Sequence, residues 1–327
     1  MLKELVILFI GIAVTTAIMP LVIKKMKEKK IGGIDVHKKE QPFIPEMGGL
    51  AVLTGLTVST VTAITFMPEI TGAAISFLAS VLIAGLIGAI DDLKALNAKI
   101  KPFLTLFAGL PILVMRTYNP GLVFPFIGRT RLTMIYPLLI PTAIAVTSNA
   151  TNMMDPFNGT MSGSCAIITV FILLSAILLN KNEALILSLC LLGPLLVFFY
   201  FNKYPSKVFS GDVGSLSIGA AIGSIAIIGR LEVVALAAFA PQIMNAFYGL
   251  SSIGRLYERR EVPRPIVILE DGRLMATKDP QAPITLARLV LARGPLYEKE
   301  VMLMFLALSV VSGFLALATA YLIMVTT

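Results

Sequence analysis

The sequence predicts an all-α, polytopic membrane protein of about ten transmembrane helices, with its polar chemistry gathered in loops on one face and a small β-hairpin in the last loop. Three observations carry this expectation. Of the 327 residues, 57% are hydrophobic and only 14% charged, where soluble domains hold about 45–50% and 25%. The mean hydropathy is +0.88. Apolar runs near the ~20 residues that cross a bilayer recur along the whole chain, with short polar stretches between them. Length therefore does not count domains, and the chain reads as one membrane-embedded domain, 1–327, with a loop insertion at about 254–298.

Apolar runs and the breakers between them place the spans at 2–23, 47–67, 70–90, 102–117, 132–148, 160–180, 183–202, 213–230, 232–253 and 299–325. The first begins at Leu2 with no basic region beyond Lys3 and no small-residue cleavage pattern, so it is expected to be a retained helix rather than a signal peptide. The third closes on Asp91-Asp92, and the eighth opens beside Asp212, between Gly211 and Gly214. In the last loop, "RPIVILEDGRLMAT" reads as two short strands joined at Asp271-Gly272. After it, "TLARLVLARG" reads as a short amphipathic helix suited to the membrane surface. Cys165 and Cys190 fall inside apolar runs and are expected only to pack. His37 is the single histidine, which excludes a site built on several histidines.

Charge sets the sidedness. With ten spans, loops after the odd-numbered ones hold 21 of the 27 Lys and Arg residues, and the opposite side holds six. Basic loops stay in the cytoplasm, so both termini are expected outside, and the chain is an integral membrane protein with its polar face cytoplasmic (plasma membrane in a prokaryote). Asn149-Ala150-Thr151 and Asn158-Gly159-Thr160 fit the N-glycosylation pattern, but they lie on the side where glycosylation does not occur. No nucleic-acid partner is expected.

Four loops on that face carry the unusual chemistry. The first, "IDVHKKEQPFIPEMGG", offers Asp35, Lys38 and Glu46. The second holds Asp91 and Asp92, then Lys94, Lys99 and Lys101. Adjacent carboxylates at a membrane boundary repel each other and resist desolvation, so such a pair holds a cation or shares a proton. The third, "SNATNMMDPFNGTMSG", supplies Asn149, Asn152, Asp155 and Asn158, oxygen donors suited to a hard cation such as Mg²⁺. The fourth, "NKYPSKVFSGDVGS", leads to Asp212 at a helix start, where backbone N–H groups can meet an anion. Carboxylates and amides for a metal, basic groups for phosphates, and a membrane for an apolar acceptor are the ingredients of metal-assisted phosphoryl transfer to a lipid. A transporter, the rival from another class, places its ionisable groups near the midplane, in broken helices related by repeats.

"IDD" closing an apolar helix, "NATNMMDPFNG", "VFSGDVGS", and the late "RREVPRP" followed by "GPLYEKE" resemble, in this order, the polyprenyl-phosphate N-acetylhexosamine-1-phosphate transferases. The resemblance covers essentially the whole chain and leans toward the UDP-GlcNAc:dolichyl-phosphate GlcNAc-1-phosphate transferases of eukaryotes and archaea. It implies Mg²⁺, with Mn²⁺ as a substitute, held by Asn152 and Asp212 beside the UDP pyrophosphate. It implies that Asp91 and Asp92 belong to the catalytic centre with Asp212, and that Lys101 contacts phosphate. Phe209 matches the ring that stacks on uracil, and Asn158 the asparagine on the uridine side. Asn149 falls in the same substrate-binding motif. Lys38 and Glu46 match first-loop positions near the substrate, and Arg259 lies in the segment closing over sugar and phosphates. The implied reaction moves GlcNAc-1-phosphate from UDP-GlcNAc to dolichyl (polyprenyl) phosphate, releases UMP and opens lipid-linked oligosaccharide synthesis for N-glycosylation. Another UDP-HexNAc or UDP-MurNAc-pentapeptide donor is the alternative, and the resemblance leaves room for a homodimer. Three departures stand out. Ala95 replaces a frequent Asp or Asn, Arg260-Glu261 replaces His-Arg of the eukaryotic loop, and the last loop lacks the histidines of bacterial members.

Overall fold

The structure is a computed structural model that describes residues 2–257 and 261–326. Helices dominate it: α1 (Leu2–Glu28), α2 (Gly49–Phe66), α3 (Thr71–Leu93), the short α4 (Ile100–Thr105) and α5 (Leu110–Val114), α6 (Tyr136–Met153), α7 (Thr160–Leu178), α8 (Asn182–Asn202), α9 (Gly211–Ile228), α10 (Glu232–Ala238), α11 (Ala240–Ile253), α12 (Leu286–Leu291) and α13 (Glu298–Thr326). Among the described residues, seven helices are long and apolar enough to cross a membrane, or eight if α10 and α11, bent by 67°, cross as one. Ten spans are therefore not established.

The differences have local causes. The expected span at 102–117 is the broken run α4–α5, joined by a 3-10 turn (Leu106–Gly109). Pro111 has no N–H to continue the ladder. Gly109 lies so close to α6 that an added Cβ would stand 2.6 Å from Pro141 Cα. Helix α6 runs five residues past the expected end at 148, so Asn149 and Asn152 sit on its last turns rather than in a loop. Side chains that would favour a loop bond back to the helix instead. Asn149 Nδ2 donates to Ala145 O at 2.8 Å, and Thr151 Oγ1 to Thr147 O at 2.8 Å.

Helix α9 is the buried axis of the bundle, with α3 and α6 packed along it. Without a hydrophobic drive between helices in lipid, close approach relies on small residues. A Cβ on Gly49 of α2 would fall 2.1 Å from Gly214 Cα of α9. Outside, Leu86, Phe314 and Leu315 stay about three-fifths exposed, as lipid-facing side chains do. Cys165 and Cys190 are buried and free.

Among the described residues three antiparallel hairpins decorate the bundle: β1 (Gly32–Ile34) with β2 (Phe43–Pro45), β3 (Gly121–Phe124) with β4 (Gly128–Arg131), and β5 (Ile266–Ile268) with β6 (Leu274–Ala276). The last is the expected hairpin, its turn closed by Leu269 N–H to Arg273 O with Gly272 at φ +84. The helix expected at the membrane surface is shorter and turned inward. Ala287 and Leu291 of α12 join Ile266, Leu274 and Phe305 in a small core. The Arg288 guanidinium donates to Thr277 O, Asp279 O and Ala282 O, so the helix is fastened to the loop before it.

Candidate functional site

The site begins with how α9 starts. Gly211 takes φ +66, and an added Cβ there would meet Asp92 Oδ2 at 2.5 Å. That close approach lets the Asp92 carboxylate accept the first N–H groups of the helix, Asp212 N at 2.7 Å and Val213 N at 3.0 Å. These donors have no partner within the helix. Gly88, one turn earlier on α3, is equally constrained, since a Cβ would lie 2.3 Å from Asp212 O. Two glycines and one carboxylate thus fix where Asp212 stands.

Around Asp212 the other groups converge. Lys101 Nζ pairs with Asp91 Oδ2 at 2.8 Å and with Asp212 Oδ2, and lies 3.4 Å from Asn152 Oδ1. Asn152 Nδ2 donates to Asp212 Oδ1 and, at 2.8 Å, to Ser215 Oγ. Asp91 also accepts the N–H of Leu96, which turns the chain after α3. Asp155 accepts from Ser210 Oγ. The charge on Asp212 acts on Glu46, and those on Asp212 and Glu46 act on Asp155. Burial pushes Asp155 up to about 7, with the nearby Asp212 and Glu46 charges adding to it. Burial also raises Glu46, followed by the charge on Asp212.

The donor set fits a hard divalent cation. Lys101 takes three oxygen contacts, from Asp91, Asp212 and Asn152, that are the contacts a cation would seek. Asp91 and Asp212 against one ammonium, with Asp92 close by, also leave the cluster a formal excess of negative charge.

A second cluster lies beside it. Asn158 is 3% exposed. Its backbone N–H donates to Glu298 Oε1 at 3.0 Å and its Nδ2 to Asp35 Oδ2 at 3.0 Å. Lys38 pairs with the same Asp35 oxygen and lies 5.0 Å over the Tyr204 ring. Burial opposes the charge on Asp35, but Lys38 and Asn158 outweigh it and hold the carboxyl below its ordinary value. Asp35, His37 and Glu298 bring ligand atoms within 4.8 Å of one another. Lys38, Asn158 and the His37 N–H already take the Asp35 oxygens, so the cation of this cluster is Lys38.

The structure thus brings Asp91, Asp92, Lys101, Asn152 and Asp212 into one contact network, with Glu46 at its edge, while Lys38 and Asn158 form the neighbouring one. Phe209 is tied by its backbone to the segment flanking Glu46, donating to Pro45 O and accepting from Gly48 N–H, both at 2.9 Å. Asn149 stands apart, its Nδ2 tying α6 to Thr105 Oγ1 of α4 at 2.8 Å. Arg259 lies outside the described residues. Sequence reasoning gave no role to Ser210, Ser215 or Glu298. Ser215 follows Asp212 by one helical turn, a spacing that could have flagged it, whereas Glu298 meets Asn158 across 140 residues with no local signal.

Comparison with known proteins gives the family. The profile of "Glycosyl transferase family 4" matches residues 74–230, the stretch carrying Asp91, Lys101, Asn152 and Asp212. A Methanocaldococcus jannaschii protein named "Putative glycosyltransferase" is 33% identical over 84% of this chain and 83% of its own length. A Saccharolobus solfataricus protein named "Putative UDP-N-acetylglucosamine--dolichyl-phosphate N-acetylglucosaminephosphotransferase" is 30% identical over 72% of this chain and 78% of its own. The phospho-N-acetylmuramoyl-pentapeptide-transferase of Streptococcus uberis is 34% identical over 68% and 72%. With a relative this similar spanning most of both chains, the chain belongs to glycosyl transferase family 4, among the polyprenyl-phosphate N-acetylhexosamine-1-phosphate transferases.

Proposed function

We propose that the protein transfers GlcNAc-1-phosphate from UDP-GlcNAc to dolichyl (polyprenyl) phosphate on the cytoplasmic face, releasing UMP, as the first step of lipid-linked oligosaccharide synthesis for N-glycosylation. The observation that carries this is the Lys101 ammonium held between Asp91 and Asp212 at the membrane-helix ends. It joins a phosphate-neutralising group to an oxygen-rich cation site. The names of the archaeal relatives support the donor and acceptor.

In this reading an oxygen of the acceptor phosphate, mostly dianionic at neutral pH with a second pKa of about 6, attacks the phosphorus that bears the sugar. The bond from that phosphorus to the bridging oxygen breaks, and UMP leaves with the electron pair. No proton has to move, so the chain's task is positioning and charge stabilisation. Lys101 sits where charge on the pyrophosphate can be neutralised. Asp92 holds Asp212 in place through the backbone of α9. Phe209 offers a ring to the uracil, Asn158 is held by Asp35 and Glu298 on the uridine side, and Lys38 and Arg259 serve sugar and phosphates. Mg²⁺ or Mn²⁺ at Asn152 and Asp212, when bound, supplies Lewis acidity that draws charge from the pyrophosphate.

The Streptococcus uberis relative favours a second donor, UDP-MurNAc-pentapeptide. Purified protein is offered either donor with Mg²⁺ and polyprenyl phosphate, and UMP and the lipid product are measured. UMP with a GlcNAc-pyrophosphate lipid is expected. UMP only with the muramoyl donor transfers the assignment to it, and substrate-dependent ion flux without UMP from either donor supports the transporter.

A further inference from the structure

Helices α1 and α8 meet along a seam where Gly11 faces Pro194. On the C-terminal side of that contact they line a groove of about 320 Å³, formed by Ile12, Thr16, Leu196, Val197, Tyr200 and Phe201. Both C-terminal ends lead to the candidate site, α1 into the β1–β2 hairpin and α8 into the turn before Phe209. The groove therefore belongs to the half of the membrane nearer that site. From Pro194 to Phe201 a helix rises about 10 Å, within the ~15 Å of hydrocarbon in one leaflet.

The mouth of the groove is basic and aromatic. Lys203 Nζ lies 5.1 Å over the Tyr200 ring. Lys207 Nζ lies 5.6 Å from Tyr200 and 5.8 Å from Phe201, and those rings stand edge-to-face at 5.4 Å. Among the described residues neither lysine is ion-paired, and both are exposed. Aromatic rings at the interface orient the ammonium groups without neutralising them.

An apolar slot lying within one leaflet, closed at the water interface by two unneutralised cations, is complementary to one kind of molecule in the surrounding membrane. We propose that it binds an anionic glycerophospholipid, one acyl chain in the α1–α8 groove and the phosphate on Lys203 and Lys207. Such a lipid would sit beside the turn that delivers Phe209 and Asp212, outside the carboxylate network, whose contacts include neither lysine. The proposal goes beyond the transferase reading and stands if that reading fails, because binding is read without turnover.

The test is native mass spectrometry of the full-length protein exchanged from detergent into mixtures of dioleoyl-phosphatidylglycerol and dioleoyl-phosphatidylcholine. One phosphatidylglycerol is expected to stay bound preferentially. Lys203→Gln with Lys207→Gln should weaken it by about thirtyfold, roughly fivefold per lysine. Leu196→Trp, which fills the groove and leaves both charges, should also release it, while Asp212→Asn should not. Equal retention of the two lipids, unchanged retention in the double variant, or displacement of phosphatidylglycerol by an equal amount of polyprenyl phosphate would overturn the proposal.

Discussion

Asp92 caps the helix on which Asp212 stands, its two carboxylate oxygens accepting the N–H groups of Asp212 and Val213 at 2.7 and 3.0 Å across 120 residues of chain. The neighbouring Asp91 turns to the Lys101 ammonium. The adjacent acids thus do different work, one setting the position of a helix and the other the charge of the site.

The tightness of that junction is testable by substitution on α3. Gly88→Ala places a Cβ 2.3 Å from the Asp212 carbonyl, a backbone atom that cannot step aside. Overpacking of this kind costs about 1–3 kcal/mol, so the thermal midpoint and the transferase rate should both fall. Gly72→Ala on the same helix meets nothing closer than 3.9 Å and should leave the midpoint unchanged or slightly raised. Equal midpoints for both variants would refute the close approach of α3 and α9.

Lys101→Gln removes the ammonium that Asp91 and Asp212 share. Loss of one preorganised charge-stabilising group costs about 10²–10³ in rate. UMP release under saturating donor should fall by that order while the protein stays folded. A rise in KM with kcat unchanged would assign Lys101 to ground-state binding alone.

Asp155 gives a pH signature. Its folded value of about 7 lies above the ordinary 3.8, so the folded state holds its proton more tightly than the unfolded chain does. The stability this contributes is complete below about pH 4 and is lost as the pH rises through 7. In chelator, Asp155→Asn should melt higher than wild type at pH 8, and the gap should close toward pH 4. A gap that widens toward acid would reverse the sign.

Sidedness is tested by single cysteines in a background lacking Cys165 and Cys190. Positions Lys29, Lys94 and Lys278, all exposed, should label from the cytoplasmic side, and Arg129 from outside. Labelling of Lys94 from outside would place the carboxylates in the wrong compartment for a cytosolic nucleotide sugar.

Much of this was legible in the sequence because it is local. The long apolar runs became helices, Asp212 does open one, and Asp271-Gly272 lies in the hairpin turn. What escaped depends on contacts between distant segments. Asn149 and Asn152 look like loop residues until their side chains bond within α6 and across to Thr105, Asp212 and Ser215. The break at 100–114 follows from Pro111 and from Gly109 pressed on Pro141, and only the partner helix reveals the second of these. Glu298 reads as the charged start of a span, yet it holds the backbone of Asn158.

Asn152 and Asp212, joined side chain to side chain on α6 and α9, form the proposed metal-dependent heart of phosphoryl transfer. Its most direct test is UMP release by Asp212→Asn and Asn152→Ala across a Mg²⁺ titration, with thermal midpoints recorded in parallel. Both variants should remain folded and lose at least about 10²-fold in turnover, with no Mg²⁺ concentration restoring Asp212→Asn. Full Mg²⁺-dependent turnover in either variant would contradict the account.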